Sequence, residues 1–182
     1  VLTLQGIGGL HADLASNAHE AIDTAVREAC RIMKPMAEQR GVRVMSYVSN
    51  NAYLIYGDAK ALAQIQAWAG GTSIVQWEGE YADAYKIHPA ARLTDANGFP
   101  QTPASDLLAV QLVEDSQSNP NTFALIDQWK LAPVKRDFRV LQYRNLIVRL
   151  PPERLTEIAS QPDVISIQPY EEPQKRDERQ DQ

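Results

Sequence analysis

The chain has 182 residues, 44% of them hydrophobic and 23% charged, an ordinary composition for a globular protein of one large or two small domains. Its net charge of −5 disfavours a general nucleic-acid binder, because phosphate contacts need clustered Lys and Arg. No apolar run approaches the roughly 20 residues that cross a bilayer, and a single cysteine, Cys30, excludes a disulfide framework and a thiolate metal cluster.

The first half of the chain alternates between extended and helical patterns. Residues 1–5 alternate like a strand, and the apolar period of a helix runs from about Asn17 until Pro35, which is expected to end or kink it. A strand, a turn at Asn50-Asn51 and a second strand follow. A helix over residues 58–68 should bury Leu62, Ile65 and Trp68, and a strand over residues 74–77 closes the unit.

The second half repeats this order. Residues 107–113 read as a strand, and Asn119-Pro120 begins a helix that runs through Trp129, with Phe123, Ile126 and Leu131 inward. A hairpin with a tight turn at Arg144-Asn145 leads to a strand over residues 146–150. Pro151-Pro152 begins a helix whose apolar face is formed by Leu155, Ile158 and Ala159. Residues 164–167 form the last strand.

Two stretches resemble each other and indicate a duplication. Residues 43–85 and 139–170 share Arg-Val starts, a tyrosine three residues later (Tyr47 and Tyr143), and matched helical positions. A spacing near a hundred residues exceeds the roughly 20–50 residues of solenoid repeats, so it predicts two domains. The predicted fold class is α+β: two tandem ferredoxin-like units, each an antiparallel sheet with two helices on one face. The predicted units are residues 1–92 and 106–170, joined by a linker over 93–105 and followed by a charged tail over 171–182.

No motif in the chain predicts catalysis, a cofactor or a metal site. Gly71-Thr72-Ser73 matches part of a serine-protease signature but lies between a predicted helix and a predicted strand, so we interpret it as a turn. His11, His19 and His88 lack the spacing of metal ligands.

Several residues are candidates for contact with a partner. Glu78, Glu80 and Asp83 form an acidic cluster after the last strand of the first unit, and Glu171-Glu172 occupy a comparable place in the second. Carboxylates there are either solvated edge charges or caps for helix N-termini on a partner. In the strand 107–113, Leu107 and Val113 share an apolar second face with Ala109, which should be covered either by the sister unit or by another protein.

Residues 46–62 (SYVSNNAYLIYGDAKAL) and 75–89 (VQWEGEYADAYKIHP) resemble the N-terminal prodomain region of bacterial subtilisin-like serine proteases, the S8 peptidases. Ser49 stands where proline is common in that family. The end of the second copy, VISIQPYEEPQKRDERQ, is similar to the segment just ahead of the catalytic domain. The resemblance implies a secreted precursor whose prodomain assists folding of the catalytic domain, covers that domain's surface helices with its sheet, and sends its C-terminal segment into the cleft.

Two other functions remain open at this point. The duplicated units could be a structural module that mediates assembly without inhibiting anything, or a pair that binds a small regulatory molecule. The partner implied by the resemblance is a subtilisin-like catalytic domain of the same precursor; nucleic acid and membrane are not expected partners.

Overall fold

The computed structural model describes residues 2–6, 31–48, 52–73 and 75–172. The chain divides into two compact units, Val1–Tyr81 and Ala82–Gln182. Both are α+β, and each contains one four-stranded antiparallel sheet. The α+β class predicted from the sequence is therefore confirmed.

The first unit forms its sheet from a strand, a helix, a pair of consecutive strands, a second helix and a last strand. Its elements are β1 (Leu2–Gly6), the helix α1 (residues 31–38), β2 (Arg43–Val48), β3 (Ala52–Tyr56), α2 (Ala59–Gly70) and β4 (Val75–Glu80). The strand order is β2-β3-β1-β4, and every neighbouring pair is antiparallel. The predicted turn at Asn50-Asn51 and residues 7–30 lie outside the described residues.

The helix α2 follows its sequence signals closely. The Asp58 side chain accepts a hydrogen bond of 2.7 Å from the Ala61 N–H, which is the N-cap arrangement that satisfies a free donor of the first turn. Ile65 is fully buried, as predicted. Leu62 and Trp68 are half-buried and pack at the margin of the core instead.

Of the two effects predicted for Pro35, an end or a kink, the end does not occur, because the described helical segment continues past the proline. Residues 31–38 are helical, and Gln39 N–H still donates to the Pro35 carbonyl at 2.9 Å. Met33 and Ala37 on either side of the proline are buried in the core, and this packing holds the turn despite the lost N–H donor. The helix closes at Gly41, whose φ of +79° suits glycine.

The second unit begins with short elements and then forms its own sheet. Its elements are α3 (Asp83–Lys86), a 3-10 turn (Pro89–Ala91), β5 (Leu107–Val113), α4 (Asn119–Trp129), β6 (Arg136–Val140), β7 (Tyr143–Arg149), a 3-10 turn (Pro152–Arg154), α5 (Leu155–Ala159) and β8 (Val164–Pro169). The strand order β6-β7-β5-β8 matches that of the first unit, again with antiparallel neighbours.

The core of the second unit lies between its sheet and its helices. Leu108, Val110 and Leu112 of β5 face this core, and Ile126 of α4 with Ile158 of α5 closes it from the other side. The buried stripe of α5 is therefore the predicted one. Leu131 is exposed, contrary to the prediction, because α4 ends at Trp129 and the chain then turns towards β7.

The boundary between the units lies earlier than the sequence predicted. The sequence pattern places residues 82–92 in the first unit and residues 93–105 in a linker, whereas in the structure both segments belong to the second unit. Ile87 and Ala91 lie in its core, and Ile87 forms a parallel bridge with Ile167 of β8. The predicted linker is held by hydrogen bonds: Gln101 Nε2 donates to the carbonyls of Pro89, Arg92 and Thr94.

The hairpin of the second unit turns at Leu141-Gln142 and not at Arg144-Asn145. Leu141 is almost wholly exposed and has a φ of +54°, a conformation usual for Gly or Asn and costly for leucine. Sequence rules look for Gly, Asn or Asp in such turns, which is why they pointed to Asn145. The shift also separates the repeat partners, since Tyr47 lies in β2 whereas Tyr143 begins β7.

Candidate partner-binding surfaces

The second sheet has one face towards its helices and a second face opposite them. Residues that pair across antiparallel strands share a face, so the register defines the second face in rows. One row is Arg136, Ile147, Ala109 and Gln168; the next is Phe138, Asn145, Gln111 and Ser166. Gln111 Nε2 donates to Asn145 Oδ1 at 3.1 Å within that row. The second face therefore combines small and apolar groups and neutral amides with one guanidinium, that of Arg136, on the edge strand β6.

Leu107 and Val113 stand at opposite ends of this face in β5. Leu107 is half-buried, whereas Val113 is fully buried and its N–H donates to the Asp163 carbonyl at 2.7 Å. Only Leu107 of this predicted pair is accessible to a partner. Phe138 and Val140 of β6, which the sequence analysis did not single out, are the large apolar residues most exposed on the face, at 42% and 49%.

The acidic cluster predicted after β4 is divided between the units. Glu78 and Glu80 lie in β4 of the first unit, where Glu78 accepts a hydrogen bond of 3.1 Å from Gln66 of α2. Asp83 belongs to α3 of the second unit and pairs with Lys86 at 2.9 Å. Glu78 and Asp83 thus already have partners within their own units, while Glu80 is exposed.

The chain beyond β8 turns back across the second face. Tyr170 N–H donates to the Leu107 carbonyl at 2.9 Å, and the Tyr170 hydroxyl lies 3.5 Å from a nitrogen of Arg136 at the far edge of the sheet. Glu172 forms an ion pair with Lys135, whereas Glu171 is exposed. Tyr170 and Glu172 are therefore attached to the sheet. Residues 173–182 lie outside the described part.

A charged pair lies on the helix side of β6 and β7. Arg144 donates two hydrogen bonds to Asp137, at 2.8 and 2.6 Å, and its guanidinium stacks on the Phe123 ring at 4.3 Å. The hydrogen bonds from Arg144 lower the pKa of Asp137, and the same bonds raise the pKa of Arg144. A cleft of about 330 Å³ opens beside Asp137 and Arg144, lined with Phe123, Ile126, Val134 and Leu146.

In the first unit, burial raises the pKa of Tyr81.

A second cleft of about 370 Å³ lies between the segment after α3 and the start of α5. Ile87, Ala91 and Leu155 supply apolar lining. The Arg92 guanidinium, also in the lining, donates to the carbonyls of Ala84 and Ile87 at 2.8 Å. Nε and Nη2 of Arg92 therefore already donate to main-chain carbonyls of the unit itself.

Those residues considered for catalysis and metal binding that the structure describes, residues 71–73 and His88, occupy structural positions. Gly71 caps α2 and Ser73 is an exposed bend before β4, which confirms that this segment is a helix-to-strand turn. His88 is exposed, and its Nδ1 accepts from the Ala90 N–H at 3.2 Å. His11 and His19 lie outside the described residues. In the part of the chain that the structure describes, no three His, Cys, Asp or Glu side chains could hold a metal ion.

Two buried polar residues were missed by the sequence analysis. Lys86 donates to the Ala159 carbonyl at 2.6 Å, and Asp163 accepts from Thr122 Oγ1 at 2.5 Å and Asn119 Nδ2 at 2.6 Å. The sequence contains no local signal that Lys86 is buried. For Asp163 the only signal is its partner Asn119, a residue type that is common at the start of a helix.

Comparison of the chain with known proteins found no matching family model, no matching curated protein and no matching solved structure. Among the described residues, no helix has both the length and the apolar character needed to cross a membrane.

Proposed function

We propose that this chain is a tandem prodomain of a subtilisin-like serine endopeptidase, which assists the folding of a separate catalytic domain and inhibits it. The proposal rests on the resemblance of residues 46–62 and 75–89 to such prodomains. The observation that carries it structurally is the second face of the second sheet, which bears accessible apolar groups opposite the helices.

The sheet topology supports the finer fold assignment that this function requires. β5 and β6 are both antiparallel to β7, so they run parallel with β7 between them; likewise β7 and β8 are parallel with β5 between them. This is the split βαβ arrangement of ferredoxin-like domains. The first unit has the same strand order. These observations support our proposal of two ferredoxin-like units.

The second face has the character of a docking surface. Phe138 and Val140 expose apolar area, the small side chain of Ala109 permits close approach, and Leu107 adds a half-buried apolar group. Gln168 and Ser166 supply neutral polar atoms. Interfaces that form and dissociate combine apolar and polar groups in this way, with charged groups towards the rim, and Arg136 lies on the edge strand of the sheet. We propose that this face covers surface helices of the catalytic domain.

The route of the chain after β8 supports a role for the tail. Because Tyr170 and Glu172 are held towards Arg136 and Lys135, the chain leaves the sheet at a defined place. An extended segment that starts from a docked sheet reaches a cleft on the same partner at a lower entropic cost than a free peptide. We propose that residues 173–182 reach the catalytic cleft, where an added strand gains affinity from main-chain hydrogen bonds.

Inhibition in trans tests this function. The purified chain should inhibit a subtilisin-like catalytic domain. Gln168→Asp, an exposed change on the second face, should weaken inhibition at least about tenfold, because it adds a charge to a desolvated surface. Gln128→Asp, an equally exposed change on α4, is the matched control and should have no effect. Absence of inhibition at a large molar excess, or equal effects of the two variants, would overturn the proposal.

Deletion of residues 171–182 separates the contributions of tail and sheet. If the tail enters the cleft, the truncated chain should inhibit more weakly while keeping its unfolding curve. Unchanged inhibition would show that the sheet alone carries binding and that the tail proposal is wrong.

A further inference from the structure

The strand β6 lies at an edge of the second sheet, and all five of its residues are exposed. The opposite edge, β8, is partly covered, because Ile87 bridges Ile167 and the His88 N–H donates to the Ile167 carbonyl at 2.9 Å. In the described part of the chain, β6 pairs with β7 alone. An edge strand with free main-chain groups is a template for another strand.

The hairpin geometry shows which main-chain groups of β6 point outward. Val140 pairs with Tyr143 across the two-residue turn, and the residues that close such a turn exchange hydrogen bonds with each other. Hydrogen-bonded and non-hydrogen-bonded pairs then alternate along the strands. Asp137 and Arg139 consequently direct their N–H and C=O groups away from β7, towards an incoming strand.

The sequence of β6, Arg-Asp-Phe-Arg-Val, is complementary to itself in one arrangement. We propose that β6 pairs antiparallel with β6 of a second copy of this chain, about a two-fold axis at Phe138. Asp137 then lies opposite Arg139 of the second copy, and Arg139 lies opposite Asp137 of the second copy. Both of these pairs use the outward main-chain groups.

The side chains favour this register over the alternatives. Opposite charges directly across two strands stabilise a pair, and like charges destabilise it. A parallel, in-register pairing would place Asp137 beside Asp137 and Arg139 beside Arg139. In the antiparallel pairing, Phe138 faces its own copy in a non-hydrogen-bonded pair, where the Cα atoms approach most closely, and Val140 lies beside the aliphatic stem of Arg136.

The existing ion pairs of β6 fit into the same arrangement. Asp137 binds Arg144 at 2.6 Å, and Arg139 binds Glu114 at 2.9 Å. Across the two-fold axis these pairs join into an alternating network of acid and base. Charges on an edge strand ordinarily prevent association; here their signs permit a second copy and disfavour most unrelated strands. This inference goes beyond the proposed function and does not depend on it.

Sedimentation velocity of the full chain tests the pairing. Since a single strand pair buries a small area, we expect a weak monomer–dimer equilibrium between about 10 µM and 1 mM. Phe138→Lys should weaken the dimer at least about tenfold, and it removes no side-chain hydrogen bond of the described fold. Phe99→Lys is the matched control, since Phe99 is a more exposed phenylalanine of the same unit outside β6. The dimer dissociation constant of this variant should equal that of the parent chain.

A pair of charge variants tests the register itself. Asp137→Lys and Arg139→Glu each place like charges opposite one another in a homodimer, so each alone should associate more weakly than the parent chain. An equimolar mixture restores opposite charges and should associate more strongly than either variant. A chain that stays monomeric throughout, a dimer that survives Phe138→Lys, a mixture that does not associate, or a monomer that binds unrelated peptides along β6 would overturn the proposal.

Discussion

Lys86 Nζ donates a hydrogen bond of 2.6 Å to the carbonyl oxygen of Ala159, the last residue of α5. The last carbonyls of a helix have no partner within the helix, and a cation at this end also complements the helix dipole. Lys86 is 95% buried by side-chain area, lies 3.3 Å from the Gln161 carbonyl and pairs with Asp83 at 2.9 Å. One buried lysine therefore connects the start of the second unit to the end of its last helix.

Replacing Lys86 with methionine should lower the free energy of unfolding by about 1–3 kcal/mol, since it leaves buried carbonyls without a donor while keeping the apolar stem. Lys130→Met is the matched control, because Lys130 also pairs with an aspartate three residues earlier but is more exposed. Its loss should stay below about 1 kcal/mol. Chemical denaturation measures both, and equal losses would contradict a special role for Lys86.

A fragment that begins at Ala82 should be far more stable than one that begins at Leu93, when both end at Gln182. The shorter fragment lacks Lys86 together with Ile87 and Ala91 of the core. Loss of a buried isoleucine alone costs about 2–5 kcal/mol by comparison with core truncations. Thermal unfolding followed by circular dichroism distinguishes the fragments. Equal midpoints would mean that residues 82–92 do not stabilise the second unit, in agreement with the boundary predicted from the sequence.

Asp163 is expected to be the most sensitive polar position in the second unit. Its carboxylate accepts from Asn119 and Thr122 at the start of α4, where the helix dipole favours negative charge. Asp163→Ala leaves two buried donors unsatisfied, at about 1–3 kcal/mol each. Asp127→Ala, at an exposed ion pair of the same helix, should cost less than about 1 kcal/mol. Denaturant titrations that give both variants similar losses would rule out this network as an anchor.

The ion pair between Asp137 and Arg144 should make stability depend on pH in the acid range. Because Arg144 lowers the pKa of Asp137 in the folded chain, the stabilisation is complete above the unfolded pKa of about 3.9 and is lost as the pH falls through the folded pKa. Asp137 is partly exposed, so solvent limits the effect to about 1 kcal/mol or less.

The measurement compares the parent chain with Asp137→Asn. The parent should be more stable near neutral pH. The difference should shrink as the pH falls below the unfolded pKa of about 3.9, and it should vanish once Asp137 is protonated in the folded chain as well. Added salt should also shrink the difference. A difference that persists unchanged in acid would show that the hydrogen bonds, and not the charge, stabilise the hairpin.

The local features of this fold were determined by the sequence itself. The apolar run over residues 107–113 predicted β5, the proline pair at 151–152 predicted the start of the last helical segment, and the apolar spacing over residues 58–68 predicted α2. Each of these signals depends on residues only a few positions apart, so it can be recognised from the sequence alone.

Tertiary contacts decided the rest. The order of strands in each sheet, the boundary after Tyr81 and the reach of Lys86 to Ala159 all depend on residues far apart in sequence. The same holds for Phe138 and Val140, whose alternation is plain in the sequence but whose place at an open sheet edge is not. No local pattern specifies which distant partner a strand or a charged side chain meets, because that choice is made by the packing of the whole unit.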